Sequence, residues 1–155
     1  MDIALYVALI AGLFSLVGVL VKRYLESQAN RLSTNKALLA EIHRLLIVLK
    51  RHRDWWEGLM KASPKATDAP LVPFTTPVFD EQVKVIGNVD TAIVGKVVAF
   101  FGYVKFINAI QLSKPGYAAI GKQDDFDKLY AGILDTAVRD YSGVFDAAFT
   151  EHGLG

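Results

Sequence analysis

The pattern of apolar and polar positions changes character three times along the chain. Over residues 3–21 no charge appears, and the run closes on Lys22 and Arg23. As a helix this run rises about 28 Å, close to the roughly 30 Å hydrocarbon core of a bilayer. Tyr6 and Ser15 are its only polar side chains, so it lacks the wet face that a core helix normally keeps. Met1 and Asp2 precede it in place of a basic cluster, it is longer than a typical signal-peptide apolar region, and no small-residue cleavage site follows. The pattern predicts a retained transmembrane anchor over residues 1–23.

A second regime follows. Residues 21–56 contain neither Gly nor Pro, which predicts a stalk and first bundle helix over residues 24–61, with a break conceivable at Ser33, Thr34 and Asn35. Leu38, Ile42, Leu45, Leu46 and Leu49 recur at helical spacing and need a partner. A Pro-rich linker over residues 62–77 carries Pro64, Pro70, Pro73 and Pro77.

Thr76 then suits a helix cap and Pro77 the first helical position, predicting a short helix over residues 78–86 that Gly87 stops. A strongly apolar helix runs from Asp90 or Thr91 to about Gln111. Lys96 and Lys105 within it favour a buried core helix over a second span. The run Ser113, Lys114, Pro115, Gly116 reads as a turn, and residues 122–150 as the last helix. Residues 78–152 thus supply the remaining bundle helices. The expected fold is all-α: one N-terminal transmembrane helix followed by a small antiparallel helical bundle.

Charge refines the placement. Residues 22–61 hold nine Lys and Arg against four Asp and Glu, whereas residues 62–155 hold eight against eleven. The basic half adjoins the anchor, where anionic lipid attracts it. Lys22, Arg23, Arg31 and Lys36 follow the span and only Asp2 precedes it, which predicts an outside N-terminus and a cytoplasmic C-terminal domain at a bacterial inner membrane. Tyr24 joins Lys22 and Arg23 as a membrane-flanking residue, its ring suited to the headgroup region. A net charge of +1 argues against a specific nucleic-acid partner. The absence of cysteine excludes disulfides, thiolate metal sites and cysteine nucleophiles.

Candidate chemistry is sparse. Ala4, Ala8 and Gly12, with Ala11 and Ser15 beside them, form a small-residue stripe on which another helix packs closely in lipid. No phosphate loop, zinc-protease or nucleophile-elbow motif occurs, and no cofactor is implied. His43 and His52 are nine residues apart, which does not bring two metal ligands onto adjacent turns. Lys50, Arg51, Arg53, Trp55 and Trp56 make the most unusual run. Basic residues beside paired tryptophans fit a partner surface, but a solvated basic turn followed by two core tryptophans is the preferred reading, because Trp is largely buried on average.

The segments Leu38-Leu39-Ala40-Glu41-Ile42, Phe74-Thr75-Thr76-Pro77-Val78-Phe79-Asp80, Ile86-Gly87 and Val97-Val98-Ala99-Phe100-Phe101 resemble a loose group of uncharacterised bacterial single-span membrane proteins with a helical cytoplasmic domain. The resemblance covers most of the chain and implies architecture, not an activity. It departs at Phe100-Phe101, where that group tends to carry a Phe-Tyr pair. The expected function is a non-enzymatic subunit of a larger membrane assembly or of a homo-oligomer, with membrane lipid and other membrane subunits, or itself, as partners. The alternative is a membrane-tethered cytoplasmic binding or sensor module for a ligand or a defence-related partner.

Overall fold

The computed structural model describes residues 3–62, 71–84, 89 and 91–154, with side chains in the first helix from Val17 onward. Among the described residues every regular element is helical: α1 (Ile3–Ala62), α2 (Pro77–Gln82), α3 (Thr91–Ala119), α4 (Gln123–Tyr141) and α5 (Asp146–Glu151).

The first helix is unbroken for 60 residues, roughly 90 Å at 1.5 Å per residue. The conceivable break at Ser33, Thr34 and Asn35 does not occur. Their weak helix propensity costs only tenths of a kcal/mol each, and no Gly or Pro stands there to enforce a stop. Along α1 the surroundings change instead. Residues 17–33 are all exposed, and burial begins at Thr34. Leu38, Leu39, Ile42, Leu45, Leu49 and Trp56 then face the core, spaced for one side of a helix.

Helix α4 packs against both α1 and α3. It presents Phe126, Tyr130, Ile133, Leu134, Ala137 and Val138, while α3 presents Val97, Phe100, Phe101, Val104 and Ile107. Phe79 of α2 stacks on Phe101 with ring centres 4.1 Å apart. Helix α2 is capped from a distance. Both carboxylate oxygens of buried Glu41 accept from its first amides, Val78 N at 3.0 Å and Phe79 N at 2.8 Å. Thr76, the residue expected to cap, donates its hydroxyl to Asp80 instead (2.8 Å) and makes no cap bond.

Helix α2 closes at Gln82, and the end expected for it at residues 86–87 lies outside the described residues; two later boundaries differ from expectation. Helix α3 runs through the anticipated turn at residues 113–116, with Pro115 inside it. An interior proline costs about 3 kcal/mol, but packing opposes it here. Tyr117 lies 5.6 Å from the Phe126 ring and Lys114 sits over Trp56 at 5.6 Å. The helix ends at Ala119 and is closed by Gly121, whose φ of 69° suits glycine. Gly121 N donates to Ala118 O and Lys122 N to Tyr117 O, the paired bonds of a glycine C-cap. The last predicted helix, in turn, is divided. A turn at residues 142–145 separates α4 from α5, which lets Phe145 pack on Phe100 (6.0 Å) and Phe149 against His43 (5.1 Å).

Among the described residues one helix, α3, is long and apolar enough to cross a membrane, and it lies mid-chain. The expected N-terminal span begins outside that set, since the side chains of residues 3–16 are not among those described.

Candidate binding cleft

Arg44, Leu45, Val48, His52 and Trp55 recur along one strip of α1, beside its buried stripe. Residues 71–76 cross this strip as an extended strap, held at two points. Asn108 of α3 clasps Phe74 from both sides, accepting from its amide and donating to its carbonyl, each at 2.8 Å. Arg44 donates to the Thr75 carbonyl at 2.9 Å. Between strap and helix lies a cleft of about 440 Å³, lined by Arg44, Leu45, Val48, His52, Trp55, Val72, Pro73, Phe74 and Thr75.

Aromatic rings make most of its walls. The His52 ring stands edge-on to Phe74 (5.3 Å, 86°) and tilted to Trp55 (5.1 Å). Behind it, His52 Nε2 lies 3.0 Å from the Tyr130 hydroxyl, which receives Gln111 Nε2 at 2.6 Å. Burial lowers the His52 pKa below its ordinary value and pushes Tyr130 up to about 12, the bond from Gln111 pulling the other way. At neutral pH the phenol is therefore protonated. It accepts from Gln111 and donates to a neutral His52, whose own proton then sits on Nδ1.

This chain of bonds leaves buried Gln111 Oε1 without a partner among the described residues. A 2.6 Å separation is the usual length of an O–H···O bond. With the amide turned over, Tyr130 donates to Gln111 Oε1 and accepts from His52 Nε2, and the unpaired group becomes the Gln111 amide nitrogen. In either direction the network locks the His52 ring in place. A phenol at about 12 is poorly matched to proton transfer near neutral pH. What the arrangement can do is present a rigid aromatic wall to a ligand.

The basic–tryptophan run does not form one surface, because its residues fan around α1. Trp56 is wholly buried, against Tyr130 (5.0 Å) and Phe126 (6.4 Å). Trp55 stays 42% exposed at the cleft. Arg53 bonds Asp54 at 2.8 Å and turns toward Asp135 of α4 at 3.8 Å. Lys50 borders a different groove, of about 370 Å³, between α1 and α5, and Arg51 is exposed. Lys22, Arg23 and Tyr24 are exposed on the protruding half of α1, with Lys22 only 4.0 Å from Glu26. Ala4, Ala8, Ala11, Gly12 and Ser15 lie outside the residues whose side chains are described.

Reading the sequence singled out Trp55 but not Arg44, Phe74, Gln111 or Tyr130 as its neighbours. The spacing of Val48, His52 and Trp55 on one helical strip was a usable local signal. Nothing local joins them to a strap 16 or more residues later or to α4. Comparison with known protein families, curated proteins and solved structures found no match for this chain.

Proposed function

We propose that this chain is a non-enzymatic, single-pass inner-membrane protein, an accessory or structural subunit of a membrane assembly or homo-oligomer. Its helices 24–152 form a small antiparallel bundle on the cytoplasmic side. The observation that carries the reading is α1 itself. Its exposed residues 17–33 include Val17, Val19, Leu20, Val21 and Leu25, and they gain nothing from the bundle. An apolar helical arm of that kind needs another apolar environment, and the uncharged residues 3–21 match a bilayer in length. Residues 22–27 then hold the bundle roughly 9 Å from the membrane boundary, since Gln28, Arg31 and Leu32 already border a groove with α3 and α5. Because the helix is unbroken, displacement of the anchor passes directly to the bundle core.

Helix α3 is the competing span. Its insertion would strip Val97, Phe100, Val104 and Ile107 from the core and break the Asn108 clasp on Phe74. It would also separate Lys105 from Asp80, now 2.8 Å apart.

The cysteine-free sequence makes the test direct. Single cysteines at Asn30 and Ala99 would be probed with a membrane-impermeant maleimide in intact cells and in inverted vesicles. The expected result is labelling of both in inverted vesicles and of neither in intact cells, with the protein resisting alkaline extraction. Release by alkaline carbonate, or an Ala99→Cys that reacts from neither side while Asn30→Cys reacts, would overturn the reading.

A further inference from the structure

We infer that the cleft between α1 and the strap is a binding site for a small planar aromatic molecule carrying a carboxylate or similarly compact anion. This goes beyond the membrane reading and does not depend on it, since every residue concerned lies in the bundle.

Size and lining come first. A volume of about 440 Å³ lies within the range of small-molecule sites, roughly 300–1,000 Å³. Ring faces and edges from His52, Trp55 and Phe74 surround it, with Val48 among the aliphatic residues of its lining. Two adjacent tryptophans of one helix have opposite fates here. Trp56 is wholly buried, whereas Trp55 leaves 42% of its surface uncovered at the cleft mouth. An indole held beside an open, aromatic-walled space suits stacking of a flat ring. The bond from His52 to Tyr130 at 3.0 Å and the Asn108 clasp on Phe74 hold two of the walls before any ligand arrives. Such preorganisation lowers the ordering cost of binding.

Charge selects the ligand's sign. Among the described residues lining the cleft Arg44 is the one with a formal charge, and none of them is a carboxylate. One of its nitrogens is spent on Thr75 O, and a guanidinium has five N–H donors. The acid three residues before it, Glu41, has both oxygens on the α2 amides. The positive charge at the rim therefore has an anion's geometry to meet, and carboxylate is a natural counterpart for an Arg fork.

The test uses the full chain in nanodiscs of uncharged phosphatidylcholine, titrated calorimetrically with 2-naphthoate and with 2-naphthylmethylamine, which has a similar shape and the opposite charge. Empty nanodiscs supply the blank. The expected result is saturable binding of 2-naphthoate at least about tenfold tighter than of the amine. Arg44→Gln should erase that preference, and Trp55→Leu should weaken 2-naphthoate by about tenfold through lost stacking. Both positions are exposed, so an unchanged thermal midpoint shows that the variants fold. Lys50→Gln, at the neighbouring groove, should leave the preference intact. No binding of 2-naphthoate, equal binding of the two compounds, or a loss in Lys50→Gln as large as in Arg44→Gln would overturn the assignment.

Discussion

The two halves of α1 are one helix by backbone and two different objects by environment. From Val17 to Ser33 every side chain is exposed, apolar and charged alike. From Leu38 to Trp56 one face is sealed at zero or one per cent exposure by α4 and its neighbours. Helix continuity thus says nothing about where stabilisation resides. The second half gains its stability from buried area, whereas from Val17 to Ser33 no side chain is buried among the described residues.

The sharpest way to probe this difference is truncation in the sealed half. Trp56→Ala removes a wholly buried indole packed on Tyr130 and Phe126, and should cost about 3–5 kcal/mol in chemical denaturation. Leu20→Ala in the open half should change bundle stability by less than about 0.5 kcal/mol in the same experiment. Next comes a backbone test that leaves the core side chains alone. Ile47 is 42% exposed, so Ile47→Pro acts chiefly through the helix, and a loss of about 3 kcal/mol is expected. Glu26→Pro breaks the same number of helical bonds yet should leave the bundle's unfolding midpoint in place, because residues 22–26 are all exposed.

Smaller effects sharpen the contrast at single groups. Glu41→Ala leaves the Val78 and Phe79 amides without their acceptor and should cost roughly 1.5–3 kcal/mol. Amide exchange in α2 should quicken before exchange in α4 does. Tyr130→Phe should cost about 1–3 kcal/mol, since it strands both His52 Nε2 and the Gln111 amide. The smallest effect is that of pH. Burial lowers the His52 pKa in the folded state, so below an unfolded value of about 6.5 the unfolded chain binds the proton first. Stability should therefore fall as pH drops below that value, and this part of the pH dependence should vanish in His52→Gln. An identical slope in that variant would assign it to other groups.

The all-helical character was legible because apolar residues recur at helical spacing in long segments that contain few breakers. Leu38, Ile42, Leu45 and Leu49 were correctly read as a core stripe, while Leu46 beside them is only half-buried. Boundaries were less legible where packing outweighs local preference. Pro115 and Gly116 look like a stop, yet Tyr117 and Lys114 have partners that carry the helix on to Ala119. Ser142-Gly143 is a local turn signal inside the helix expected over residues 122–150, and turning there brings Phe145 and Phe149 onto the core.

Sequence alone determined the helical periods, the charge-free run over residues 3–21 and the absence of cysteine chemistry. These are properties of composition and near-neighbour spacing, and they hold wherever the chain folds. Only the tertiary structure decided that Glu41 caps α2, that Trp55 and Trp56 part company, and that Arg44, His52 and Phe74 share one cleft. The first and last of those outcomes join residues far apart in the chain, and the second rests on Phe126 and Tyr130 of α4 covering Trp56. They depend on how two surfaces meet, which no periodicity within either segment encodes.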